Sequence, residues 1–272
     1  MDNPNVRDGR IDRRGLARRQ IRRMDRGRSG VVLAVNLRGL AREAQRLGCV
    51  IEFAVQVGDF IATDEPLFYL SGASITLSEE GERRLQNLVA LGTERTIEQD
   101  PMFAFRIEVD FALKALSPAI NDPTTAVLAI DQLHRLQRLV GKRSLVNRTV
   151  NDDAGNPRVF FRTPDWGDYV HISFREIRQY GAGSLQIERR LRAMIENLRK
   201  TFHVSRHATL RRELELLDAA ILPEHMSAED IALARIPDTQ GLGGAAEAAL
   251  PTRSGSEDQQ EQAERADHAQ MP

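Results

Sequence analysis

The sequence predicts an α+β protein, with a small β-sandwich-like module followed by a mainly helical domain that carries one β-hairpin. Three observations predict it. Residues 29–72 run through short apolar stretches of strand length, broken by turn signals such as Gly58-Asp59. From Ser78 onward the apolar spacing lengthens to the three and four of a helix. Between Gln99 and Leu136, two helices open with one device, Asp100-Pro101 and Asp122-Pro123. In each, the aspartate accepts hydrogen bonds from free amides and the proline sits where a missing N–H costs nothing.

Each element follows from its residues. Val31, Val32, Leu33 and Val35 predict a first strand, and Leu37, Leu40, Ala44 and Leu47 predict a helix after it. Val50 to Val57 alternates loosely, as a half-buried strand does, and Phe60-Ile61 and Pro66 to Leu70 predict two further strands. Glu79 to Arg95 reads as one helix with Leu85, Leu88, Val89 and Leu91 on its apolar side. The Asp-Pro helices cover roughly 101–116 and 123–140, the second stopped by Gly141. Asn151 to Pro157 is the turn of a hairpin near 146–163. Asp165 caps a helix that ends at Gly181. Ser184 and Ser205 open two more, striped by Ile187, Leu191, Met194 and Leu198, and by Leu210, Leu214 and Leu217. The chain thus divides into a basic flexible arm (1–28), a β-module with an inserted helix (29–72), a mainly α-helical domain (73–236) and a disordered acidic tail (237–272).

Charge is distributed unevenly behind a net of −1. Residues 1–28 hold ten Arg against four Asp, whereas residues 224–272 hold ten acids against three Arg. A basic arm and an acidic tail flank a balanced body. The lone Cys49 excludes an internal disulfide and fits a reducing compartment. No apolar run reaches bilayer-spanning length and no apolar core follows the N-terminal arginines. The expectation is therefore a chain without a transmembrane segment or secretory signal, cytoplasmic or peripheral to the inner membrane.

Chemistry concentrates in a few places. Ser117, Asn121, Asp122, Thr124 and Thr125 crowd a helix N-terminus and form either a capped corner or an anion site. Asp110 and Lys114 stand four apart on a largely apolar helix and are expected to form a buried pair. Arg178, Gln179 and Tyr180 end a helix, where Arg178 complements the dipole and Tyr180 packs on the core or against the corner. His203 and His207 have zinc-ligand spacing, but Ser205 between them reads as a helix cap that breaks the shared face. Gly241-Leu242-Gly243-Gly244 follows no strand, so it is not a dinucleotide loop. No metal or other cofactor is expected.

Two resemblances add to these readings. The run Val57-Gly58-Asp59-Phe60-Ile61, with Pro66-Leu67 after it, is similar to small β-sandwiches of the biotinyl/lipoyl type. Those carriers need a modifiable lysine, and residues 29–72 contain none, so the resemblance implies structure only. The run Val109-Asp110-Phe111-Ala112-Leu113-Lys114-Ala115-Leu116-Ser117-Pro118-Ala119-Ile120-Asn121-Asp122-Pro123-Thr124-Thr125-Ala126, and later Ile177-Arg178-Gln179-Tyr180-Gly181, resemble a bacterial family of predicted membrane proteins (domain of unknown function 2254). Family members typically carry membrane-spanning helices before this region. The resemblance thus implies a soluble, non-enzymatic module that belongs to or docks on a membrane assembly. The expected partners are an anionic membrane surface or membrane protein met through residues 1–28, and a second copy met through the apolar stripes of Ser184 to Leu222. The alternative is a small-molecule or anion-binding domain, enzymatic or not, centred on Ser117–Thr125. Nucleic acid is not expected, because the body is neutral and no recognition motif follows the arm.

Overall fold

The computed structural model describes residues 6–7, 10–11, 20–24, 27–72, 75, 77–145, 148–221 and 227–243. Strands β1 (Val6–Arg7) and β2 (Arg10–Ile11) pair antiparallel. The remaining strands are β3 (Gln20–Met24), β4 (Gly30–Val35), β5 (Cys49–Phe53), β6 (Phe60–Ile61), β7 (Phe68–Gly72), β8 (Val89–Gly92), β9 (Thr149–Asn151) and β10 (Pro157–Phe160). They form a five-stranded sheet of order β3-β7-β5-β10-β9 and a three-stranded sheet of order β6-β4-β8. The larger sheet is mixed, because β10 runs parallel to β5. The helices are α1 (Leu37–Arg46), α2 (Glu79–Gln86), α3 (Pro101–Ala115), α4 (Pro123–Val140), α5 (Trp166–Tyr180), α6 (Leu185–Thr201), α7 (His207–Ala220) and α8 (Ala228–Ala234). Among the described residues no helix is long and apolar enough to cross a membrane.

Two apolar cores result. The first joins the sheets to α1 and α2 through residues such as Val32, Leu40, Ile51, Leu67, Leu70, Leu85 and Val159. The second lies among α3 to α7, around Phe105, Ile130, Phe174, Ile195, Leu198 and Leu210. The α+β class is as expected, and a biotinyl/lipoyl-like sandwich is not confirmed among the described residues. Residue alternation in β5 buries Cys49, Ile51 and Phe53 on one side, and α1 packs against that strand and its neighbour β10. The three-stranded sheet contributes Val32, Ile61 and Val89 to the same core.

Some elements also differ from the expectation. Gln20–Met24, read as part of the arm, is an edge strand in register with Phe68–Gly72. The expected helix from Glu79 to Arg95 ends at Gln86. Val89–Gly92 instead lies antiparallel along β4, because the β4 edge opposite β6 needs a partner for its amides and carbonyls. Leu85 and Val89 do share one apolar core, so the spacing reported burial correctly and periodicity wrongly. The hairpin occurs where predicted, yet β10 joins the sheet of the first module through Val159 and Phe160. Ile236 is not the end of order either: residues 237–243 are described and lie on α6, while 244–272 lie outside the described residues.

The stripe of α6 that motivated self-association is met inside the chain. Ile187, Leu191, Met194, Ile195 and Leu198 are buried, and α6 packs against α4, α5, α7 and α8. Its arginines are covered as well. Arg189 Nε donates to the Ile236 carbonyl and Arg192 Nε to that of Ala234, both at 3.1 Å, while Arg192 also pairs with Asp218. Arg190 donates to Asp131 at 2.7 Å. The loop after α8 closes on itself: the Asp238 carboxylate accepts from the amides of Gln240, Gly241 and Gly243.

Candidate functional site

The corner between α3 and α4 is a finished cap. Asp122 Oδ1 accepts from the Thr125 amide at 3.0 Å, and Oδ2 accepts from the Thr125 hydroxyl at 2.5 Å. These bonds, the hydroxyl first, hold the Asp122 carboxyl below its ordinary range. Ser117 donates its hydroxyl to the Lys114 carbonyl at 2.7 Å, and the Asn121 amide donates to the Ser117 carbonyl at 2.8 Å. Asn121 takes φ +46°, the left-handed conformation that asparagine tolerates best after glycine. Thr124 is exposed. The N-terminus of α4 thus already holds an anion, its own Asp122 side chain.

The other expected groups separate. Asp110 is exposed and turns to Arg106, not to Lys114, which is exposed too. Arg106 also reaches Glu176 on α5 at 2.6 Å, so α3 and α5 are joined by a half-exposed ion network in place of a buried Asp110–Lys114 pair. Arg178 points inward as well as ending its helix. Its Nε lies 3.7 Å from Glu213 Oε2 on α7, with His171 Nε2 3.9 Å from Oε1. Burial pushes the Glu213 carboxyl up, against the pull of Arg178. Gln179 and Tyr180 are exposed, so Tyr180 does not pack on the core. His203 Nδ1 meets the Ser205 hydroxyl and His207 Nε2 meets the Phe202 carbonyl, so the two imidazoles have different partners.

The group that sequence reasoning underrated is Asp100. As a cap it does what its Asp-Pro signature predicts, Oδ1 accepting from the Phe103 amide at 3.2 Å. Its surroundings are another matter, for it is only 4% exposed. Among the described residues Oδ2 has no hydrogen-bond partner, and Arg95 Nη1 stands 3.6 Å away, beyond bonding distance. Burial pushes the carboxyl up, and the Phe103 amide and Arg95 only partly pull it back. Gly58 makes the space: a Cβ there would lie 2.4 Å from Oδ2, and its φ of +93° favours glycine independently.

Asp100 lies at the edge of a slot of about 390 Å³ between the two cores. The β-module supplies Val35, Leu37, Phe53, Val57 and Phe161, and the helical body supplies Pro101, Leu145 and Tyr169. Gln56, Gln99, Ser144 and Arg162 provide the polar edge, where Gln99 Oε1 accepts from the Val35 amide at 3.3 Å. Burial raises the Tyr169 phenol to about 12, so it stays protonated. A second space of about 600 Å³ adjoins the slot along Ser144 and Leu145, which line both. Its walls are polar: Arg148, Asp165, Ser205, Arg206 and Thr209 beside Trp166. The glycine-led turn at Gly58 and the cap at Asp100 were both visible in the sequence. That they touch, forty-two positions apart, was not.

No solved structure matches the chain. It is similar to an uncharacterised protein of Mycobacterium tuberculosis strain H37Rv and to one of Mycobacterium bovis, each 38% identical over 94 residues. The aligned stretch is 35% of this chain and spans only 18% of each relative's length. A much longer match covers residues 7–197, taking in both sheets, α1 to α5 and most of α6. On that match the chain belongs to the family described as "Predicted membrane protein (DUF2254)".

Proposed function

We propose that this chain is a non-enzymatic recognition module that holds a small, mainly apolar molecule in the slot between its two cores, on the cytoplasmic side of a membrane-associated assembly. The observation that supports the reading is the slot itself, about 390 Å³ walled by apolar side chains from both cores with a few polar groups at its edge. That size and mixture are those of small-molecule pockets. His, Cys and Lys are absent from the described lining, and the one carboxylate, Asp100, is occupied as a helix cap. Binding is therefore better supported than acid–base or nucleophilic chemistry.

Titration with the apolar fluorophore N-phenyl-1-naphthylamine tests the reading. A saturable, one-to-one rise in fluorescence is expected, together with its loss in Leu145→Trp, which fills the slot from a half-buried position while the melting curve stays cooperative. A signal that grows without saturation, or that Leu145→Trp leaves intact, removes the slot as a binding site.

Membrane placement is a second reading, supported by the ten arginines of residues 1–28. Near anionic headgroups each basic residue gains about 1 kcal/mol, so salt-sensitive binding to phosphatidylglycerol vesicles is expected. Because Gln20–Met24 pairs with β7, the informative deletion is residues 1–19, which spares the sheet. Equal vesicle binding by that truncated chain would remove the placement.

A further inference from the structure

We propose that the occupant of the slot is an anionic amphiphile, an alkyl or acyl chain ending in a carboxylate or a phosphate, with its tail between the cores and its head against Arg148 and Arg206. The head-group assignment rests on the slot being a binding site. What carries it further is the contiguity of two unlike spaces. Ser144 and Leu145 line the apolar slot on one side and the polar space on the other, so a molecule leaving the slot there meets guanidinium groups at once.

Among the described residues both guanidinium groups keep donors without a hydrogen-bond partner. Arg148 Nε is buried without a hydrogen-bond partner among the described residues, and its Nη2 lies 3.8 Å from Asp165 Oδ2, an ion pair longer than a hydrogen bond. Asp165 is the one carboxylate of this space, and its Oδ1 is committed to the Asp168 amide as the cap of α5. Arg206 donates through Nη2 to the Arg143 carbonyl at 2.8 Å and stacks 4.9 Å from the Trp166 ring centre. Held in this way, its planar fork is preorganised for a carboxylate or phosphate, the anions that guanidinium groups bind in two-point fashion. The hydroxyls of Ser144 and Thr209 line the same space and can donate to an oxyanion. An alkylammonium head would meet two arginines and one engaged carboxylate, and a neutral alcohol could accept a single hydrogen bond but would bring no charge and no two-point acceptor to the guanidinium groups.

Displacement of N-phenyl-1-naphthylamine from the full chain tests the assignment, with decanoate, decyl phosphate, decylamine, decanol and inorganic phosphate as competitors. Decanoate or decyl phosphate should displace the probe at concentrations about tenfold below those needed for decylamine and decanol. Inorganic phosphate, lacking a tail, should not displace it. Arg148→Gln should remove the preference for the anion while leaving probe binding unchanged, and Arg148→Lys should restore part of it. Arg206→Gln serves as an independent second variant, should Arg148→Gln fail to fold. Phosphatidylglycerol vesicles form a separate arm: displacement by vesicles identifies a membrane lipid as the source of the head, and displacement by the free amphiphiles alone identifies a soluble one. Either supports the assignment. Equal displacement by decanol and decanoate, or a preference for decylamine, overturns it while the slot survives as an apolar site. Failure of the probe to bind at all removes the slot reading itself.

Discussion

Asp100 and Asp122 carry the same local sequence device and live in opposite surroundings. Each precedes a proline, each caps a helix of 15 or 18 residues, and their backbones agree to within a degree, φ −113° with ψ 82° and 83°. Yet Asp100 is buried between two cores with one oxygen unpartnered among the described residues, and its carboxyl is pushed up by burial. Asp122 stands at an open corner with both oxygens bonded to Thr125, and its carboxyl is held down. Capping is a transaction with the next three residues, so chain neighbours decide it. The electrostatics of the carboxylate depend on whatever the rest of the fold brings to its other side.

The largest test of this difference is Gly58→Ala. The left-handed φ alone costs a non-glycine residue roughly 1–3 kcal/mol, and the new Cβ would also collide with Asp100 Oδ2. A large fall in melting temperature is expected. Adding Asp100→Ala should cost less than it does alone, because it removes the collision; strict additivity would show that the two side chains do not meet.

Next in size is Asp100→Ala, which loses the cap at about 0.5–2 kcal/mol, against a smaller loss for Asp100→Asn, because asparagine caps nearly as well. The two aspartates should also part in their pH dependence. A carboxyl raised in the folded state binds its proton more tightly there than in the unfolded chain. The stability it contributes is complete at low pH and is lost as pH rises from the ordinary aspartate value of about 3.9 through the folded one. Wild type should therefore lose stability relative to Asp100→Asn over that climb. At Asp122 the sign reverses: its contribution is present above about pH 3.9 and is lost as pH falls through the depressed folded value. Chemical denaturation of both Asn variants between pH 3 and pH 8 measures the slopes, and parallel slopes would dissolve the distinction.

Smaller effects belong to the corner. Asp122→Ala should lower the melting temperature less than Asp100→Ala does, and Asp122→Asn should be nearly silent. A fully stable Asp122→Ala would show that the cap contributes nothing. Smallest of all is Lys114→Met, expected within about 0.5 kcal/mol of wild type because Lys114 is exposed and Asp110 already pairs with Arg106. A large loss would mean that Asp110 depends on Lys114 after all.

Much of the local structure was legible. The caps at Asp100, Asp122 and Asp165, the strand at Val31 to Val35, the helix from Leu37 and the hairpin turn all appear where side-chain chemistry put them. Val89 to Gly92 was misread because burial in one core produces the same apolar spacing whether the chain coils or extends. The candidate site was legible only in pieces. Asp100 reads as a cap and Gly58 as a turn, while Arg148 and Arg206 carry no local signal, because lone arginines in connecting segments are ordinarily solvated.

By itself the sequence determined the α+β class, the aspartate-capped helix starts, the glycine turn and the charge asymmetry of the termini. Each of these depends on residues within a few positions of one another, where backbone geometry and short hydrogen bonds act. Only the tertiary structure decided that β10 lies parallel to β5, that Gln20–Met24 joins the sheet, that the carbonyls of Ala234 and Ile236 meet Arg192 and Arg189 of α6, and that a slot opens between the cores beside a buried carboxylate. Those outcomes follow from which apolar faces find each other and which strand edges remain to be paired, quantities defined over the whole chain and over no single stretch of it.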